Sequence, residues 1–158
     1  MSRLSGPAFD EAPYHVGVVA SDLEATMDAH TTALGSTWAS VQTLTVALCD
    51  EQGCTDTPVR ITYSRQGPTY LELIEAVPGT VWTAADGVHH LGVWCDDVDG
   101  ESRRLDEEGF PAVAWAQGRD DERAWFAYHS VPGLGLVELV DRRSRPAFER
   151  WMAGGDYR

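Results

Sequence analysis

The feature that most constrains this chain is that it is written twice. Tyr14-His15-Val16-Gly17-Val18-Val19-Ala20-Ser21-Asp22-Leu23-Glu24 returns as His89-His90-Leu91-Gly92-Val93-Trp94-Cys95-Asp96-Asp97-Val98-Asp99. His15 falls on His90, Gly17 on Gly92, Val18 on Val93 and Asp22 on Asp97. A second echo sits near the end of each half, where Leu71-Glu72-Leu73-Ile74-Glu75 matches Val137-Glu138-Leu139-Val140-Asp141. A chain of 158 residues holds one domain with a sizeable core, or two small repeated units that share one.

Periodicity and turn chemistry predict the same plan in both copies. In the first, a strand over 14–20 is followed by a helix from Leu23 to Leu34, with Ser21 or Asp22 placed to cap it and Gly35 to stop it. Strands are expected over 38–48, 59–64 and 69–76, with an acidic loop over 49–58 and a turn at Gln66-Gly67-Pro68. In the second, a strand over 89–95 precedes a helix over 98–108 that ends at Gly109, and strands follow over 112–117, 123–129 and 136–140. Each half reads as β-α-β-β-β. The expectation is one domain over 1–158, with modules at 14–76 and 88–141 and a linker at 77–87 in which Trp82 covers something apolar. Residues 1–12 read as a loose lead-in. Phe148, Trp151 and Met152 in the tail at 142–158 have near-helical spacing, which predicts a terminal helix packed on the body.

Composition removes several function classes. A formal charge of −13 lacks the basic surface that nucleic acid or an anionic membrane would need. No apolar run approaches the ~20 residues that span a bilayer, and the N-terminus has no secretory signal pattern. Every basic residue is arginine, and lysine and asparagine are both absent, a bias expected of a GC-rich bacterial genome. Cys49, Cys54 and Cys95 are odd in number and lack zinc-ribbon spacing, so three unpaired structural thiols in a reducing cytoplasm are expected.

The duplication selects four positions that can carry chemistry: His15, Glu72, His90 and Glu138. Each is polar and flanked by apolar residues, so strand alternation sets it on the face opposite its neighbours. Taken singly, such residues are more often core or solvated groups. Four at matching places in a repeated unit can converge inside a curved sheet. Two imidazoles and two carboxylates suit one divalent ion such as Zn, Ni, Co, Mn or Fe. Burying two carboxylates is costly without a cation, and no lysine exists to supply one. His89 points to the other sheet face by the period-two rule and is the weaker ligand candidate, and Glu75 and Asp141 likewise face away.

These segments together, and Gly87-Val88-His89-His90-Leu91-Gly92 and Gly135-Leu136-Val137-Glu138-Leu139 in particular, resemble the vicinal oxygen chelate superfamily. That group includes glyoxalase I, methylmalonyl-CoA epimerase, extradiol dioxygenases and metal-free resistance proteins. The resemblance covers about residues 14–141. It implies an α+β fold in which two tandem βαβββ modules form a cupped, open-barrel mixed sheet around a metal. It implies His15, Glu72, His90 and Glu138 as ligands and a homodimer as the assembly. The His/Glu/His/Glu set looks like bacterial glyoxalase I, whereas the epimerases usually have glutamine where Glu72 stands. The segment Gly87-Val88-His89-His90 with Asp96-Asp97-Val98 looks more like the epimerases.

What the resemblance implies chemically is a metal-dependent lyase or isomerase that moves a proton α to a carbonyl. Its substrate would be a small carbonyl compound or thioester, with Glu138 as principal base and Glu72 as its counterpart. An iron oxygenase is the alternative enzyme, and a small-molecule binding or resistance protein the alternative outside catalysis. Arg60, Arg65, Arg119 and Arg123 are candidates to meet an anionic substrate group. Trp38, Tyr63, Trp94, Trp115, Trp125 and Tyr128 are candidates to line a pocket.

Overall fold

The structure is a computed structural model that describes residues 10–157. The first copy is β1 (His15–Ala20), α1 (Leu23–Leu34), β2 (Gln42–Asp50), β3 (Gly53–Tyr63) and β4 (Tyr70–Glu75). The second is β5 (His90–Cys95), α2 (Val98–Glu107), β6 (Ala112–Gln117), β7 (Arg123–Val131) and β8 (Gly135–Asp141). A 3-10 turn at Arg142–Ser144 leads into α3 (Arg145–Met152). The duplicated aspartates begin both module helices. Asp22 Oδ1 accepts from the Ala25 N–H at 3.0 Å, and Asp97 Oδ1 accepts from the Gly100 N–H at 2.9 Å. Gly35 ends α1 at φ 71°, a left-handed conformation that costs glycine nothing.

The eight strands form a mixed sheet in the order β1-β4-β3-β2-β6-β7-β8-β5. Each module contributes a parallel pair, β1 with β4 and β5 with β8, and the modules meet where β1 runs antiparallel to β5. This is the α+β fold of two tandem modules that the resemblance implied. Its far seam is narrow: β2 meets β6 only at Leu48–Ala116 and Cys49–Trp115, which closes the cup into a barrel.

Alternation separates two cores. Val93, Cys95, Val137 and Leu139 face outward and pack beneath α2 with Val98 and Leu105. The inward face carries aromatic rings, among them Tyr14, Tyr63, Trp94, Phe126 and Tyr128. The tail helix does more than lie on the body. Phe148 packs edge-on against Tyr14, Tyr63, Tyr70 and Trp94, at centroid distances of 5.3, 4.9, 5.1 and 5.8 Å. Trp151 is 1% exposed and its Nε1 donates to the Ser40 carbonyl at 2.9 Å. α3 therefore packs on the aromatic inner face of the cup. Trp82 in the linker is buried too, and its Nε1 donates to the Tyr128 hydroxyl at 3.1 Å.

Three expectations need correction. The segment over 49–58 is not a loop: Gly53 begins β3, and β2 and β3 pair continuously from Gln42–Ile61 to Asp50–Gly53. Its Thr, Asp and Pro content hid the strand because these side chains are mostly solvent-exposed on a long hairpin. That hairpin sets Cys49 directly opposite Cys54, and the two form a disulfide with a Cα–Cα distance of 4.0 Å. Only Cys95 is a free thiol among the described residues, so the cysteines lend no support to a reducing compartment. The strand expected from Trp38 begins instead at Gln42; Trp38 makes an isolated bridge to Ser64. Of the lead-in, residues 1–9 lie outside the described residues. Asp10 is tied to the start of the tail, with Arg142 Nη2 at 2.9 Å from its Oδ2. No helix among the described residues is long and apolar enough to cross a membrane.

Candidate metal centre

The register of four adjacent strands builds the site. In β8-β5-β1, Glu138 lies beside Gly92 and Gly92 beside His15. In β5-β1-β4, His90 lies beside Gly17 and Gly17 beside Glu72. Each row thus runs histidine, glycine, glutamate, and the two rows are related by the repeat. The glycines explain themselves: a Cβ on Gly17 would stand 2.0 Å from His90 Cε1, and one on Gly92 1.9 Å from His15 Cε1. Each ring lies flat over the other module's glycine, which is the only residue thin enough to allow it.

Four ligand-capable atoms converge as a result, all within 4.8 Å of one another, and all four residues are buried. His15 Nε2 and His90 Nε2 are 2.9 Å apart. Glu138 Oε2 lies 3.1 Å from His15 Nε2 and 3.0 Å from His90 Nε2. Glu72 Oε1 lies 3.0 Å from His90 Nε2 and 3.6 Å from His15 Nε2. Ligands about 2.0–2.1 Å from one tetrahedral ion would stand about 3.3 Å from each other. The observed separations bracket that value. Glu72 Oε1 is also a buried acceptor without a hydrogen-bond donor. A nitrogen and oxygen donor set of this spacing, with an orphaned carboxylate oxygen, fits a divalent cation.

Neighbouring groups prepare the set. His89 Nε2 lies 2.8 Å from the Val81 carbonyl and must donate to it. Burial lowers the His89 pKa, so the ring is neutral at pH 7 and its Nδ1 is an acceptor. Nδ1 of His90 lies 2.8 Å away and must be the N–H that donates. With an ion bound, the chain from Val81 through His89 would keep the single proton of His90 on Nδ1 and leave its Nε2 lone pair for the centre. Period-two reasoning made His89 the weaker ligand candidate and missed this second role; the adjacent histidine pair was the available signal. Across the cup the Tyr63 hydroxyl donates to Glu72 Oε2. Burial, with Glu72 and Glu138 nearby, raises the Tyr63 pKa well above the usual phenol range, so it remains a donor.

Without a cation the cluster must hold a proton. Burial pushes the His90 pKa down, but the charge of Glu138 at 3.0 Å, with that of Glu72 also at 3.0 Å, outweighs it and leaves it at about 10. Burial likewise raises Glu138, and the two imidazoles overcome this and hold it low.

Above the four groups is an aromatic cavity lined by Tyr63, Trp94, Trp125 and Tyr128, as expected, and also by Tyr14, Trp82, Phe126, Phe148, Trp151 and Tyr157. Trp38 and Trp115 lie elsewhere; Trp38 Nε1 donates to Thr31, and Trp115 stacks beneath Arg123. Trp125 adopts φ 52° at a bulge in β7, and this breaks the alternation so that Trp125 and Phe126 both reach the cavity.

A search among curated proteins by sequence finds no match. Among solved structures, a variant of the Streptomyces coelicolor methylmalonyl-CoA epimerase in complex with 2-nitronate-propionyl-CoA is 22% identical, with TM-score 0.56 over 82% of this chain and 96% of that one. The Mycobacterium tuberculosis methylmalonyl-CoA epimerase is 19% identical, with TM-score 0.54 over 87% of this chain and 91% of that one. A mutant 4-hydroxymandelate synthase from S. coelicolor is 19% identical, with TM-score 0.51 over 82% of this chain and 47% of that one. At such identities the likeness is one of fold. Sequence carries the assignment further, because residues 14–127 match one family model. With the repeated strands and their central cluster, that match places the chain in the glyoxalase/bleomycin resistance protein/dioxygenase superfamily.

Proposed function

We propose that this protein is a metal-dependent lyase or isomerase that transfers a proton α to the carbonyl of a small substrate. The observation that carries this reading is the convergence of two glutamates, one from each module, on a point shared with two histidines. His15, Glu72, His90 and Glu138 would hold one divalent ion, which when bound supplies Lewis-acid stabilisation for negative charge on a carbonyl oxygen. The remaining chemistry belongs to the chain.

Glu72 and Glu138 enter from opposite modules, so one carboxylate is available on either side of a planar carbon acid. Their surroundings differ. Glu72 is tethered at Oε2 by Tyr63, whereas the hydrogen bonds of Glu138 among the described residues run to the histidines alone. Glu138 is the freer of the two to leave the cluster and accept a proton, and Glu72 is placed as its counterpart. The aromatic walls exclude water, which raises the basicity of a carboxylate once it is released from a cationic partner. The homodimer of the resemblance belongs to this reading.

The test pairs elemental analysis with substitution. Protein purified without an affinity tag is expected to carry about one divalent ion per chain. Glu138→Gln should keep the ion and lose the exchange of solvent deuterium into a hydroxyketone by about 100-fold, the lower part of the range for general-base catalysis. Unchanged exchange in the ion-loaded variant would refute Glu138 as the base.

A further inference from the structure

The cavity has a one-sided charge inventory. Among the described residues its lining contains two acidic side chains, Glu72 and Glu138, and no arginine. The arginines that could have met an anionic substrate are engaged elsewhere. Arg60 lies on the outside with Glu75, 2.7 Å away, and Glu24. Arg65 donates to the backbone carbonyls of Trp38 and Met152 at 3.0 and 3.1 Å. Arg123 is held by Asp106 and Ser102, each at 2.7 Å. Arg119 is not among the lining residues.

The space is also small. Phe148 and Trp151 of α3 cover it, and the volume open to water centres is about 50 Å³, room for a few water molecules. A divalent ion with two carboxylates and two neutral imidazoles has no net charge. A neutral substrate leaves that balance intact. Each carboxylate or phosphate on a substrate adds a buried charge that no side chain of the lining can pair.

We propose that the cup selects a small, uncharged α-hydroxycarbonyl or α-dicarbonyl compound and rejects carboxylates and acyl-CoA thioesters. This rests on the metal-centre reading and names its substrate class. The neutrality comes from what the lining lacks, and the size limit from the aromatic side chains that α3 brings over the centre.

Hydroxyacetone and pyruvate are matched probes, since both have three carbons and a chelating oxygen pair and only pyruvate is charged. Cobalt-loaded protein, its stoichiometry fixed by elemental analysis, is titrated with each while its visible absorption is followed. Hydroxyacetone should perturb the spectrum at a concentration at least about 10-fold lower than pyruvate, an unpaired buried charge costing at least that factor. Leu44→Arg, at a half-buried lining position, should shift the preference toward pyruvate by a similar factor. Equal affinities, tighter binding of pyruvate, or a silent spectrum with both probes on loaded protein overturns the proposal. Protein that takes up no cobalt overturns the metal reading instead. The same pair is then ranked by quenching of the lining tryptophans, where preference for hydroxyacetone sustains the proposal and the reverse or no order overturns it.

Discussion

Replacing His89 by phenylalanine tests how the centre is prepared. The ring is half-buried between His90 and Tyr128, and phenylalanine keeps its shape while removing the Nδ1 acceptor and the Nε2 donor. His90 Nδ1–H, 2.8 Å from that acceptor in the wild-type protein, then has no partner. The metal-free protein feels this loss too, because His90 there holds a proton on each nitrogen, with Nε2 facing Glu138 at 3.0 Å. With an ion bound, Nε2 would be the ligand and the single proton would stay on Nδ1, so the orientation and basicity of the ring would depend on that acceptor. A buried unsatisfied donor costs about 1–3 kcal/mol, and loss of a partner behind a metal-bound histidine typically costs 10- to 100-fold in affinity. We expect His89→Phe to weaken zinc binding by about 10- to 100-fold, read by competition with a chromophoric chelator at constant pH. His89→Gln supplies a carbonyl acceptor and should recover part of the loss. Thermal melts of the metal-free proteins separate this effect from misfolding. A folded His89→Phe protein that binds zinc within twofold of wild type would refute the tautomer argument.

Other perturbations follow from the same geometry. Gly92→Ala would place a Cβ 1.9 Å from His15 Cε1, so zinc stoichiometry should fall to near zero, whereas Gly35→Ala, strained by its φ of 71° but with open space at its Cβ position at the end of α1, should retain the ion. Raising the pH should destabilise the metal-free protein. The His90 pKa is raised above its ordinary 6.5 to about 10, so its ion pair contributes fully below pH 6.5 and is lost as pH rises through 10. The melting temperature should fall across that window without metal and stay flatter with it. Alkylation under denaturing, non-reducing conditions should label Cys95 alone, because Cys49 and Cys54 are paired. Cys49→Ser should cost about 2 kcal/mol of stability, the value for so short a closed loop, and leave zinc binding intact.

The repeat made much of this legible. Residues that open and close local structure by their own chemistry sit where the sequence put them: Asp22 and Asp97 cap, Gly35 stops α1, and His15, Glu72, His90 and Glu138 alternate inward. Their matching positions in two copies were enough to expect one centre. What the sequence could not specify depended on contacts across the fold. Gly17 and Gly92 were visible as matched residues, but their purpose appears only when β1 pairs with β5 and each imidazole crosses the other strand. Cys49 and Cys54 look unpaired until the β2–β3 register sets them opposite. His89 turns from a bystander into the anchor of His90 because the linker brings the Val81 carbonyl to its far side. Phe148 and Trp151 announced a helix, and the open inner face of the barrel decided where that helix packs. Local periodicity fixes which way a side chain points, whereas partners that are distant in sequence fix what it meets.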